Sequence, residues 1–371
     1  MKLTLQIKFL PNDKQAKSLI ETLKECNKVC NNISNIAWQN KVFNQFKLHH
    51  LVYHPIKSTS NLSAQALIRC ISKVVDAYKK DRKTKRTFKS LGAIAYDTRI
   101  LSYNIEKQII SIWSVDGRLK IPFVCHNPKY LPYIKGEADL ITKKGKFYLF
   151  QTVEIPEDDV KNVEEFIGVD FGINNIATLS DGTQYGSEQL DKVRNRYFKT
   201  RKSLQSKGTP GSRKCLKRLK GREKRHASVT NHTISKRIVE KAKTESKGIA
   251  IEDLTYIRER TKVRKAQRRR HHSWAFAQLR SFLEYKAKLI GIPLAIVDPH
   301  YTSKICNVCK MIGNRKGSSF SCPDCGNIAD ADENAAKNIA QLGMCVTHPE
   351  KMSMYNCVLH IPLKAPSVRE G

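Results

Sequence analysis

The chain has 371 residues, with 67 Lys and Arg against 34 Asp and Glu, a formal charge of +33. At about 150 residues per domain, that length makes two or three domains with sizeable cores. Such a charge repels itself without a polyanionic partner, with nucleic acid the first candidate and a membrane surface the second. No stretch approaches the roughly 20 apolar residues of a spanning helix, and the opening run MKLTLQIKFLPND is broken by Lys8 and Pro11, which argues against a signal peptide.

In chain order, KLTLQIKFL alternates like a strand, and NDKQAKSLIETLKECNKVCNNISNIAWQNKVF then carries apolar residues at helical spacing from an Asn/Asp start. A second amphipathic run, SAQALIRCISKVVDAYKKDRK, starts at Ser63 and ends in basic residues. From Thr87 to about Pro156 short alternating segments are separated by DG, NP and KKGK turns, the pattern of a small β domain. The opening strand has no partner nearby and is expected to join that sheet, which makes the helices between an insertion.

EEFIGVDFGINNIATLSDGTQYG reads as three antiparallel strands joined by NN and DG turns. Residues 187–246 are helical and very basic. KGIAIEDL and PLAIVDP are buried strands, and SWAFAQLRSFLEYKAKLIG between them is a helix closed by Gly291. An antiparallel meander followed by alternating helix and strand describes an α/β unit. From about Leu342 the mixture of Pro, Met and His is expected to form a loosely ordered tail.

Of the 11 cysteines, four cluster at 306–325 and the rest scatter among apolar neighbours, unlike a disulfide framework, so a reducing intracellular compartment is expected. Cys306, Cys309, Cys322 and Cys325 form two CxxC pairs that can close a tetrahedral structural Zn²⁺ site. A redox dithiol or buried free thiols are the alternatives, but CNVCKMIGNRKGSSFSCPDCGN has little apolar content, so metal would replace the missing core. Cys26 and Cys30 have no second pair and read as core residues.

Asp170 lies inside FIGVDFGI, where an unpaired carboxylate would cost several kcal/mol to bury, so it needs a metal or a cation such as an Arg. Glu252 ends GIAIEDL at the carboxyl end of a buried strand, the usual place for functional groups in α/β sheets. Strand alternation lets only one of Glu252 and Asp253 join Asp170, and Glu252 is favoured. Asp332 begins DENAAKNIAQL, whose Ala335, Ala336 and Ile339 can lie close on a sheet, and it could instead be a helix cap, as could Asp330. Three acids from two strands and a helix start can converge on two Mg²⁺ or Mn²⁺ ions about 3.5–4 Å apart for phosphodiester hydrolysis. Fifteen Lys or Arg against Glu223 lie between Lys192 and Arg225, and RERTKVRKAQRRRHH carries eight against Glu259. Such runs suit a cleft that binds phosphates with little base discrimination.

IGVDFGINNIATLSDG, the stretch from GIAIEDL through LAIVDPHYTSKICNVC, and CGNIADADENAAKNI together resemble the three RuvC segments and the zinc ribbon of TnpB, a family encoded in insertion sequences. PNDKQAKSLIETLKECNKVCNNISNIAW and YDTRILSYNIEKQIISIWSVDGRLKIPF resemble the family's recognition helices and wedge-type β domain, so the likeness runs from residue 1 to about 341.

The resemblance implies a multidomain α/β plus β plus α protein: a wedge-type β-barrel domain (1–10 and 87–160), a helical recognition domain (11–86), an RNase H-like (RuvC) nuclease domain (161–300 and 329–341), a zinc ribbon insertion (301–328) and the tail 342–371. It implies an RNA-guided, Mg²⁺-dependent DNA endonuclease that carries a guide RNA from its own element. The expected target is double-stranded DNA beside a short flanking motif, with single strands cut as well. Its setting would be the cytoplasm of a bacterium or archaeon, or the nucleus of a eukaryote. Asp170, Glu252 and Asp332 fall on the family's catalytic acids, the last in an intact ADENAAKNI. A nuclease-inactive DNA-binding repressor and a DNA transposase are the competing functions.

Overall fold

The computed structural model describes residues 1–255 and 276–348, which divide between two units, Met1–Pro156 and Glu157–Gly371. The basic run at 258–272 and the tail beyond 348 lie outside the described residues.

In the first unit, strand β1 (Lys2–Phe9) leads into helix α1 (Asp13–Gln39), where Asn12 and Gln15 form a reciprocal capping box that satisfies amides left over at the helix start. Helices α2 (Gln45–Thr59) and α3 (Ala64–Lys80) start on the side-chain caps Asn44 and Ser63. Leu19, Leu23, Cys26, Cys30 and Ile33 of α1, with Leu67, Cys70, Ile71 and Val74 of α3, are buried. The Cys70 thiol points at the Cys26 carbonyl, 3.6 Å away.

The strands β2 (Ile94–Tyr96), β3 (Leu101–Asn104), β4 (Ile109–Ser114), β5 (Gly117–Cys125), β6 (Ile134–Lys143) and β7 (Lys146–Glu154) join β1 in one antiparallel sheet of order β2-β6-β7-β1-β5-β4-β3. The opening strand therefore sits in the middle of the sheet, with Ile7 opposite both Cys125 and Leu149. The sheet curls toward a barrel. Tyr103 on β3 donates its hydroxyl to Gln151 Oε1 on β7, across three intervening strands, at 2.5 Å, and Tyr96 on β2 donates to the Trp113 carbonyl on β4.

The second unit is built on a sheet of order β10-β9-β8-β11-β12: β8 (Phe166–Asp170), β9 (Asn175–Leu179), β10 (Gln184–Gly186), β11 (Gly248–Glu252) and β12 (Leu294–Val297). The first three are antiparallel, while β11 runs parallel to both β8 and β12. Between β10 and β11 come α4 (Glu188–Lys207), α5 (Pro210–Leu219) and α6 (Arg222–Thr244). Gly208 ends α4 at φ 62°, a left-handed position open to glycine, and Thr209 caps the amide of Ser212 while Pro210 opens α5. Helix α7 (Phe276–Leu289) precedes β12.

Alternation sorts the sheet's two faces. Ile167 and Val169 of β8 and Ile249 and Ile251 of β11 share a core with Ile234 and Ile238 of α6 and Leu279 and Leu283 of α7. Phe166 and Ala250 face the other way, toward Ile339 and Met344 of α8 (Ala331–Thr347). Helix α8 follows a small three-stranded sheet, β13 (Asn314–Lys316), β14 (Ser319–Ser321) and β15 (Ile328–Asp330), which carries the cysteines. It continues to Thr347, five residues beyond the Leu342 at which the sequence suggested a loose tail, because Met344 and Cys345 are buried. None of the described helices is long and apolar enough to cross a membrane.

Candidate active site

Asp170 is the last residue of β8, and Glu252 is the last of β11. The parallel register pairs Ile251 with Val169, so the two acids are the next step on adjacent strands and share the face that α8 covers. Asp253 points to the opposite face, where Arg280 of α7 donates to its Oδ1 at 2.6 Å. Alternation thus separates Glu252 from its neighbour.

Helix α8 begins at the same end. Asp330 is its N-cap, accepting from the amides of Asp332 and Glu333 at 3.0 Å each. The Asp332 carboxylate, spared that task, lies in the first turn with its side chain 13% exposed. Arg315 of β13 donates to Asp332 Oδ1 at 2.8 Å, and Asn175 of β9 approaches Oδ2 at 3.4 Å.

The electrostatics record the crowding. Burial, then the negative charges of Glu252 and Asp332, push Asp170 well above the ordinary carboxylate range, against the opposing pull of Arg315. Burial also raises Glu252, which is 7% exposed, although the Thr302 hydroxyl donates to its Oε1 at 2.5 Å. Hard oxygen donors short of positive charge fit divalent cations, with Arg315 the nearby basic group. The carboxylates share a face but stand apart: among the described residues only the four cysteines bring three or more ligand atoms within 4.8 Å of one another.

Those cysteines fit zinc closely. The Cys306 and Cys325 sulfurs lie 3.7 Å apart, and those of Cys309 and Cys322 3.4 Å. Four thiolates at about 2.3 Å from one tetrahedral Zn²⁺ would stand roughly 3.8 Å from each other. Burial pushes the Cys306 thiol up, but the amides of Cys309 and Val308 and the Asn327 side chain outweigh it and bring it down to about 6. The cluster around them, Phe320 and Ala331 with the cysteines themselves, is small. A structural zinc is compatible with this site.

Two buried asparagines of α8 tie the ribbon to the acids. Asn334 donates to the Ile305 carbonyl at 2.7 Å and accepts from the Asn307 amide at 2.9 Å. Asn338 donates to the carbonyls of Thr302 and Ile305. Sequence reasoning missed Arg315, Thr302, Asn334 and Asn338. The asparagines had a signal, two polar residues at i, i+4 within a small apolar face; the other two had none. The basic helices are exposed as expected: between Lys192 and Arg225 every Lys and Arg except Arg194 is on the surface.

Residues 276–339 match the family model described as "Cas12f1-like, TNB domain", and residues 150–264 match the one described as "Probable transposase". The chain is 33% identical over 216 residues to the TnpB-like protein MJ0751 of Methanocaldococcus jannaschii, covering 54% of this chain and 76% of that protein. It is 32% identical over 219 residues to the CRISPR-associated endodeoxyribonuclease Cas12f1 of Sulfoacidibacillus thermotolerans, covering 53% of this chain and half of that one, 50%. A Cas12f1 chain from a cryo-EM structure of a Cas12f1–sgRNA–target DNA complex aligns over 92% of this chain and 99% of its own, at 16% identity and a TM-score of 0.41.

A mixed sheet with acids at its carboxyl edge and a four-cysteine ribbon leading into its covering helix defines the class of protein. The chain belongs to the TnpB-like family.

Proposed function

We propose that the chain is an RNA-guided DNA endonuclease encoded by an insertion sequence, cutting double-stranded DNA beside a short flanking motif, with Asp170, Glu252 and Asp332 as its metal-binding acids. The observation that carries this reading is that two adjacent parallel strand ends and one helix start present acids on a single face, with Asp170 destabilised as an anion by burial and then by both other carboxylates. The meander followed by parallel strands supports an RNase H-like (RuvC) domain. The curled sheet and three helices of the first unit would serve as its wedge and recognition regions.

Mg²⁺ or Mn²⁺ held by the three acids would supply water activation and charge stabilisation for phosphodiester hydrolysis. The protein's own groups do the rest. Glu252 is held by Thr302 and Asp332 by Arg315, and because Asp330 caps the Asp332 amide, the Asp332 carboxylate is not used as the cap. Exposed cations on α4 to α6 would bind nucleic-acid phosphates, leaving sequence choice to base pairing with a guide RNA. The relatives support RNA and DNA as partners, since one is named a CRISPR-associated endodeoxyribonuclease and another, from Streptomyces pristinaespiralis, a "Putative RNA-guided DNA endonuclease".

The test is Asp170→Ala in the purified ribonucleoprotein with Mg²⁺. Cleavage of DNA matching the guide should fall by at least about 10³-fold, the scale of removing a unit of catalytic machinery, while RNA binding is kept. Cleavage at the parental rate would overturn the assignment.

A further inference from the structure

We propose that Thr302 is the positioning residue of Glu252, and that the cysteine cluster governs the carboxylate through the 302–307 segment. This rests on the reading of Glu252 as a metal-binding acid. Thr302 lies at the foot of the ribbon, four residues before Cys306, and is 3% exposed. Its hydroxyl is 2.5 Å from Glu252 Oε1 and 3.0 Å from the Pro299 carbonyl. A hydroxyl has one proton and two lone pairs, so it donates to the carboxylate or, turned toward Pro299, accepts from the neutral acid. Glu252 is fixed in either state.

The segment is aimed inward at a cost. Tyr301 adopts φ 64°, a left-handed conformation unfavourable to a bulky side chain. The turn is closed by the Lys304 and Ile305 amides on the Tyr301 carbonyl. Tyr301 is 39% exposed while Thr302 is buried, so the unfavourable residue faces out and the hydroxyl faces in.

The other end of the segment belongs to the cysteines. Asn338 holds the Thr302 and Ile305 carbonyls, Asn334 holds the Ile305 carbonyl and the Asn307 amide, and Asn307 follows Cys306 directly. Both asparagines ride on α8, the helix that begins with Asp332 in its first turn. A loss of order at Cys306 would therefore be felt at Thr302 with α8 as the fixed support, and then at Glu252. Outer partners of metal-ligating carboxylates are worth about 10–100-fold in metal affinity.

The experiment measures Mn²⁺ affinity of the full, zinc-loaded chain by electron paramagnetic resonance, with zinc content and thermal unfolding followed in parallel. Thr302→Val should weaken Mn²⁺ binding about tenfold or more with zinc content unchanged, and Thr302→Ser, which keeps the hydroxyl, should stay within about twofold of the parent. Should the valine variant not fold, Thr302→Ala against Thr302→Ser asks the same question. Removing zinc should weaken Mn²⁺ binding in the parent and in Thr302→Ser, and add little in Thr302→Val, the non-additivity of a shared route. Parental affinity in Thr302→Val, or the same loss on zinc removal in both, overturns the proposal. Glu252→Gln separates the two readings: if it leaves Mn²⁺ binding unchanged, the site assignment has failed, whereas if it weakens binding and Thr302→Val does not, only the role of Thr302 has.

Discussion

Gly168 is where the fold and the site can be pulled apart by one methyl group. A Cβ at this position of β8 would stand 1.9 Å from the Ala336 carbonyl oxygen, 2.5 Å from the Ala340 amide and 3.0 Å from the Ala336 carbonyl carbon. Ordinary contact begins near 3.4 Å, so relief requires a movement of about 1.5 Å. All three atoms are helix backbone, and no side chain can swing aside. Either α8 lifts from the sheet or β8 bows beneath it. Forcing a methyl into a packed core costs about 1–3 kcal/mol, and more where nothing yields. In a unit of this size each kcal/mol lowers the melting temperature by about 2–4 °C.

The functional effect should exceed the loss of stability. Asp170 lies two residues beyond Gly168 on the strand, and Asp332 one helical turn before Ala336, so lifting the helix changes the separation of the two acids directly. Misplacement by about 1 Å is enough for a hundredfold loss. Gly168→Ala should therefore melt lower, bind Mn²⁺ more weakly and cleave at least about 100-fold more slowly. Gly186→Ala, where a Cβ meets nothing within 4 Å, is the control and should stay within about 0.5 kcal/mol of the parent. A Gly168→Ala protein that melts, binds Mn²⁺ and cleaves like Gly186→Ala would refute the close-packing argument.

Two further outcomes are expected. Asp170 has its folded-state pKa raised, chiefly by burial and then by Glu252 and Asp332, so its contribution to stability is present below the unfolded value of about 3.9 and is lost as pH rises through the folded pKa. Asp170→Asn should thus stabilise the metal-free protein at pH 8 by about 0.5–2 kcal/mol, with the gain disappearing toward pH 4, as thermal unfolding across pH would show; a gain that grows on acidification has the wrong sign. Chelating a metal held by the four cysteines should open the ribbon, whose own buried cluster is Cys306, Phe320, Cys322 and Ala331, and should bring proteolytic cleavage into residues 301–330 while the first unit stays resistant.

What the sequence disclosed follows from the range of the interactions involved. Strand alternation is local, so the choice of Glu252 over Asp253 could be argued from neighbours, and the structure places Asp253 against Arg280 on the other face. Helix capping is local too, but Asp330 and Asp332 both satisfy its chemistry, and only the family resemblance favours Asp332 as the metal-binding acid; in the structure β15 ends at Asp330, which takes the cap. Arg315 lies seventeen positions from Asp332, and Thr302 fifty from Glu252. Their pairing depends on how a hairpin and a knuckle fold back on the sheet, a tertiary matter that no periodicity records. The expected start of the tail at Leu342 falls inside α8 for a related reason: Met344 and Cys345 look unremarkable in sequence and are buried only because α8 lies on a sheet.

The acids behind the cysteines then have a physical explanation in a chain of such positive charge. Gly168, Ala335 and Ala336 remove bulk where α8 crosses the sheet, and that economy brings the helix start near the carboxyl ends of β8 and β11. A helix start attracts anions, and Asp330 meets that demand through two backbone amides. Asp332 is consequently surplus to the helix, as Asp170 and Glu252 are surplus to their strands. Asp170 and Glu252, both raised above the ordinary carboxylate range chiefly by burial, raise the free energy of the metal-free protein. A divalent ion that binds there would offset that cost, so Asp170→Asn should gain metal-free stability and lose Mg²⁺-dependent stabilisation together, as thermal unfolding with and without Mg²⁺ would show.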